Sequence, residues 1–135
     1  MRVTRFNRRL DLIIVSAWVW GRRDEKARLR LVVDTGAAVT LVAPDVLDQL
    51  GYSARDGEAR TTIRSAIGEE PGYLLRVKRF RALGYRLDEL LIHVHDLPGG
   101  HDIDGLLGWN FLQHFNVELR PTEGRIRVTP VERAR

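Results

Sequence analysis

Leu31-Val32-Val33-Asp34-Thr35-Gly36-Ala37 is the stretch on which the reading of this chain turns. An apolar run ends abruptly in a carboxylate, a hydroxyl and a glycine. Upstream, Arg28 to Val33 alternates: Leu29, Leu31 and Val33 point one way, Arg28, Arg30 and Val32 the other. That is the period of a β-strand. The strand delivers Asp34 where the chain leaves a core. Burial there disfavours the charged carboxylate, so something must compensate. Thr35 brings a hydroxyl, and Gly36 lets the backbone turn tightly and bring amide groups near. Taken alone, the tripeptide is equally an ordinary turn at a strand end, because Asp and Gly are common turn residues.

Working outward, Leu12 to Trp20 is rich in β-branched and aromatic residues and reads as a strand apolar on both faces. With the polar turn Gly21-Arg22-Arg23-Asp24-Glu25 it forms a hairpin that leads to Asp34. Beyond Gly36, Val39-Thr40-Leu41-Val42 is another short strand. Pro44 suits the first turn of a helix whose apolar stripe is Val46, Leu47 and Leu50, and Gly51 stops it. Arg60 to Ile67 and Tyr73 to Phe80 read as two strands around the polar tip Gly68-Glu69-Glu70-Pro71-Gly72, where Pro-Gly fits the centre of a type II turn. Leu87, Leu90, Ile92 and Val94 mark a further strand. A second informative segment follows, Asp104-Gly105-Leu106-Leu107-Gly108-Trp109-Asn110-Phe111-Leu112. It is an apolar strand that breaks at glycine and enters a short helix, Asn110 to His114. A last hairpin ends in Ile126 and Val128.

The two segments, in this order and with a hairpin between them, resemble the signatures of the retropepsin-like aspartic proteases, the single-domain relatives of the pepsins. The resemblance runs from the strand before Asp34 to the strand near Val128. It implies an all-β, closed-barrel-like acid-protease fold with two short helices, spanning residues 1–135 as one domain. It also implies an aspartic endopeptidase acting on polypeptides. Such chemistry needs two carboxylates facing one water, and Asp-Thr-Gly occurs once here. A homodimer would supply the second Asp34.

Carried over residue by residue, the resemblance makes Asp34 the catalytic acid/base, held by Thr35 and Gly36, with Thr35 also gripping across the subunits. It places substrate against Ala37, Ala38, Ile67, Gly68 and Leu106. The hairpin around Gly68 to Gly72 falls where the family has its flap, and Asp104 lies in a segment that braces the catalytic loop. Two positions depart from the viral members: Ala38 stands where they carry an Asp that binds substrate backbone, and Trp109 stands where they carry an Arg near the dimer base. The dimer should therefore be stabilised differently, with Trp109 and Phe111 as candidates. Ala38 and the acid pair Glu69 and Glu70 favour the rival reading, a dimerising or peptide-binding module of the same fold.

Composition bounds the rest. The 135 residues, 44% hydrophobic, make one core and not a two-lobed enzyme. Net charge is +4, with Arg2, Arg5, Arg8 and Arg9 near the start and Arg133 and Arg135 at the end. These read as solvated, frayed ends. Nucleic-acid binding is disfavoured, since no basic helix or aromatic-basic interleaving accompanies them. There is no cysteine, hence no disulfide, and no apolar run long enough to span a membrane. Leu10 to Trp20 mimics a signal peptide but carries Asp11 and lacks a small-residue cleavage site, so the expected location is cytoplasmic. His93 and His95 share a strand face where a metal is conceivable; the favoured reading is two exposed histidines. No metal, nucleotide or organic cofactor is implied.

Overall fold

A computed structural model describes residues 1–65, 68–97 and 102–131. Among the described residues, ten strands run β1 (Arg2–Arg5), β2 (Ile14–Trp20), β3 (Lys26–Val33), β4 (Thr40–Val42), β5 (Ala59–Ser65), β6 (Gly68–Ala82), β7 (Tyr85–Val94), β8 (Gly105–Leu107), β9 (Phe115–Arg120) and β10 (Arg125–Pro130). Two short helices, α1 (Pro44–Gln49) and α2 (Trp109–Leu112), interrupt them. Single 3₁₀ turns occupy Ala54–Asp56 and Pro121–Glu123. Among the described residues, no helix is long and apolar enough to cross a membrane.

The larger sheet runs β2-β3-β8-β4-β7-β6-β5, and β2 also pairs with β6. That extra pairing, Ala17↔Ala82 to Trp20↔Arg79, bends the sheet back on itself and closes six strands into a barrel. Closure removes two sheet edges at once. Inward-facing Ala17, Val19, Leu29, Leu31, Val77, Ile92 and Leu107 are each fully buried, as the alternation of β2 and β3 requires. Phe111 of α2 is also fully buried, edge-on to Phe80 at 5.7 Å and tilted against Phe115 at 5.2 Å. It is a core residue and offers nothing to a second subunit.

The β6–β7 ladder is irregular at one point among the described residues. Between the pairs Val77↔Leu90 and Arg79↔Asp88 the ladder skips, and Glu89 sits at φ 55°. There the N–H of Lys78 donates to the Tyr52 hydroxyl at 3.2 Å, and that hydroxyl donates to the carbonyl of Trp20 at 2.8 Å. A side chain thus completes hydrogen bonding that the ladder leaves open.

Two expectations change. The hairpin does not turn at Pro71-Gly72. β6 begins at Gly68, paired with Ser65, and Pro71 and Gly72 lie within the strand opposite Thr62 and Thr61. Pro is tolerated there because β7 joins β6 only from Tyr73 onward, so Pro71 has an open flank. The Pro-Gly pair mimics a turn locally while long-range pairing uses it as strand. The N-terminus is also not frayed: β1 pairs with β10 from Arg2↔Val128 to Arg5↔Arg125, making a second sheet in the order β1-β10-β9. The guanidinium of Arg2 stands 5.4 Å from the Tyr85 ring centroid.

Candidate active site

Asp34 follows the last residue of β3, and its own N–H donates to the carbonyl of Leu107 at 3.0 Å. The parallel pairing of Val32 with Leu106 and of Val33 with Leu107 therefore extends to the start of the loop. Asp34 Oδ1 accepts from the N–H of Gly36 at 2.9 Å, and its carbonyl accepts from the N–H of Ala37 at 3.3 Å. The carboxylate is held by its own turn and remains partly exposed. Among the described residues, Asp34 Oδ2 has no hydrogen-bond or ion-pair partner.

What fixes the loop comes from far along the chain. The carbonyls of Ala37 and Ala38 accept from the N–H groups of Trp109 (2.7 Å) and Asn110 (3.1 Å). Asn110 Oδ1 accepts twice from Thr40, from its N–H at 2.8 Å and its hydroxyl at 2.9 Å. The Thr40 hydroxyl oxygen accepts from Gly108 N–H at 3.0 Å, and Asn110 Nδ2 donates to the carbonyl of Leu91 at 2.6 Å. Thr40 is fully buried. A Cβ on Gly108 would stand 2.7 Å from the Ala37 carbonyl oxygen and 2.8 Å from the Thr40 nitrogen. Only glycine lets the two segments come this close. Thr40 and Asn110 are the site residues that sequence reading passed over. Each had one signal: a polar residue inside an apolar run.

Asp104 braces the same region. Its Oδ2 accepts from the N–H of Arg30 at 2.8 Å, and its own N–H donates to the carbonyl of Arg30 at 2.7 Å. It joins the start of β8 to β3. The remaining sequence-derived positions scatter by role. Thr35 and Ala38 are exposed, Ala37 is half-buried, and Leu106 is half-exposed on the sheet face shared with Leu41 and Val32. Gly68 opens β6 at the hairpin, with φ +133°. Ile67 lies outside the described residues.

His93 and His95 are not exposed. His95 is buried and His93 half-buried, because the β5–β6 hairpin crosses their face. Thr61 Oγ1 and His93 Nε2 are hydrogen-bonded at 2.5 Å across Gly72, where a Cβ would meet both at 2.9 and 3.0 Å. His95 Nε2 lies 3.2 Å from Glu70 Oε2, without hydrogen-bond alignment. Burial, and then the neighbouring His95, hold the pKa of His93 below its usual value. The two contacts tie the hairpin to β7. Among the described residues, no group of three His, Asp or Glu is arranged to hold a metal.

The family model for aspartyl proteases matches residues 15–111, from within β2 through α2. The chain belongs to the aspartyl protease family. The match contains the first signature segment, the hairpin, and all of the second segment but Leu112. No curated protein matches the chain. Among solved structures, it is similar to a retropepsin-like aspartic protease from Rickettsia conorii, at 21% identity and a TM-score of 0.67, covering 92% of this chain and 94% of that one. It is also similar to the EIAV protease in complex with the inhibitor HBY-793, at 20% identity and a TM-score of 0.55, covering 76% and 86%. At these identities the structural likeness speaks for the fold, which is that of a retropepsin-like acid protease.

Proposed function

We propose that this aspartyl protease is a homodimeric endopeptidase, the whole chain acting as one domain and two copies sharing one site. The observation that carries the reading is Asp34 itself: one partly exposed carboxylate, with one oxygen engaged by Gly36, on a loop clamped by Trp109 and Asn110. A lone carboxylate is a poor activator of water for amide hydrolysis. Two of them, one from each copy, cannot both ionise cheaply at close range, so the pair holds one proton and titrates as a unit; the aspartic protease dyad is the standard illustration of that rule. The ionised Asp34 takes a proton from the bridging water. The neutral Asp34 hydrogen-bonds the scissile carbonyl. The tetrahedral intermediate then collapses as the dyad protonates the leaving amine, with no covalent enzyme adduct.

Ala37, Ala38, Gly68 and Leu106 would contact an extended peptide. The hairpin would close over it, exclude water and offer backbone hydrogen bonds. The rival reading, peptide binding without turnover, draws on the exposed Ala38, whose methyl gives a substrate backbone no hydrogen bond. The test uses an unstructured polypeptide at mildly acidic pH. Wild-type protein should cleave it, and Asp34→Asn should lose that cleavage by on the order of 10²–10⁴-fold while staying dimeric. Peptide retention without cleavage by the wild type would leave the binding module as the function.

A further inference from the structure

The outer wall of the barrel carries a pattern that the order of the chain conceals. Val15, Ala17 and Val19 turn into the core, so Trp18 and Trp20 of β2 turn outward. Both remain part-exposed. On one side lies β3, with Arg28 opposite Trp18 and Lys26 opposite Trp20. On the other lies β6, with Arg81 opposite Trp18 and Arg79 opposite Trp20. Phe80 and Ala82 fill the core side of β6, which leaves Arg79 and Arg81 outward. Two rows result, Arg81-Trp18-Arg28 and Arg79-Trp20-Lys26, each with an indole between two cations. Read in line, the sequence shows no such interleaving; the two ladders make it.

These charges are only partly answered. Asp24 engages Lys78 and Arg79 at the edge of the face, at 2.8 and 3.6 Å. Asp88, paired with Arg79 in the ladder, engages Arg86 at 3.2 Å. Lys26, Arg28 and Arg81 have no acidic partner among the described residues. Arg28 Nη2 donates to the Ser16 hydroxyl at 2.7 Å. Lys26 Nζ stands 4.9 Å from the Trp18 ring centroid and 5.8 Å from that of Trp20. Lys26 is exposed, so an incoming phosphate can draw its ammonium off the rings.

We propose that this wall, β3-β2-β6, binds single-stranded nucleic acid, with phosphates on Lys26, Arg28 and Arg81 and bases stacked on Trp18 and Trp20. Cations two residues apart on one strand stand about 7 Å apart, and the β3 and β6 cations flank the indoles about 10 Å apart. A polynucleotide backbone can follow either row of cations while its bases turn onto the indoles between them. The ligand must use both halves of the pattern. An acidic peptide would use the cations and leave the rings idle. A bilayer takes up protruding apolar side chains, and these two are set into the wall. A duplex keeps its base faces stacked inside. Arg28 lies six residues before Asp34 on the same strand, about 20 Å away, so the inference does not depend on the protease reading.

Fluorescence anisotropy of an end-labelled oligodeoxythymidylate, about fifteen nucleotides long, against the full chain tests this. Binding should weaken with salt along a log–log slope of about −2, as three neutralised phosphates require. Arg28→Gln and Arg81→Gln should each flatten that slope by about 0.7. Arg5→Gln, which alters a cation of the other sheet, should leave it unchanged. Trp20→Leu should weaken binding by about 5- to 100-fold with the slope kept. Indole fluorescence of the wild type gives a reading that needs no variant: the oligonucleotide should quench it, and inorganic polyphosphate, which has no bases, should not. No binding at about 50 mM salt overturns the proposal. So does binding without quenching, or an Arg5→Gln effect equal to that of Arg28→Gln, since either leaves bare charge attraction. Tighter binding of polyglutamate, or of vesicles containing phosphatidylserine, than of the oligonucleotide overturns it in favour of an acidic polypeptide or a membrane.

Discussion

Thr40 and Asn110 stand 70 residues apart and are joined twice through one oxygen, Asn110 Oδ1, by the backbone N–H (2.8 Å) and the hydroxyl (2.9 Å) of Thr40. The Asn110 amide then donates to Leu91 on a third element, and the Thr40 hydroxyl takes the N–H of Gly108. One buried polar knot thus binds the loop after Asp34, the glycine break after β8, and β7. A network of this kind is stabilising only while every member is satisfied.

Asn110→Ala should therefore cost about 2–3 kcal/mol in urea unfolding, since it strands the Thr40 N–H and the Leu91 carbonyl together. Thr40→Ser, which keeps the hydroxyl, should lose less than Thr40→Val, which removes it. A larger loss for Ser than for Val would mean that the methyl packing and not the hydroxyl matters.

Gly108→Ala should harm activity more than fold. Its Cβ would press on the Ala37 carbonyl and the Thr40 nitrogen, both backbone and both attached to the Asp34 loop. A displacement of about 1 Å at a catalytic group can cost ~100-fold in rate. Peptide cleavage assays paired with thermal melts would check this; a variant with wild-type turnover would show that the loop absorbs the shift.

His93 makes stability depend on pH in a stated direction. Burial holds its pKa below the usual 6.5, so the folded chain binds fewer protons there than the unfolded chain. Its contribution is fully present above about pH 6.5 and is lost as pH falls through the lower folded-state value. The groups facing it are the Thr61 hydroxyl and the His95 ring, with Glu70 beyond. Denaturant midpoints taken from pH 7.5 down to pH 5 should fall more steeply for wild type than for His93→Gln, which keeps an acceptor for Thr61. Parallel profiles would exclude His93 as the source.

Phe111→Ala should cost about 3–5 kcal/mol and leave any dimer constant unchanged once the protein is folded. Its ring is fully enclosed against Phe80 and Phe115. Trp109→Glu should cost little stability by comparison, because that side chain is already 50% exposed. Two residues apart on one helical turn, Phe111 and Trp109 thereby separate a core position from an exposed one.

Much of this molecule was legible in its residues. Alternation in Arg28 to Val33 and the glycine after Asp34 were enough to place a carboxylate at a strand end. The break at Gly108 was enough to place a short helix, and Pro44 the start of another. These are local matters: the period of side-chain burial, the φ that proline presets and the contacts a glycine permits act within a few residues. The order of elements and the acid-protease resemblance rest on such signals.

Pairings between distant segments settled what remained. The β2–β6 ladder closed the barrel. The register of β5 with β6 drew Pro71-Gly72 into a strand, and β10 gave Arg2–Arg5 a partner. The crossing hairpin buried His95, and the packing of α2 turned Phe111 inward and left Trp109 outside. None of these carries a local signature, because each depends on which surface another segment, tens of residues away, brings to the same place.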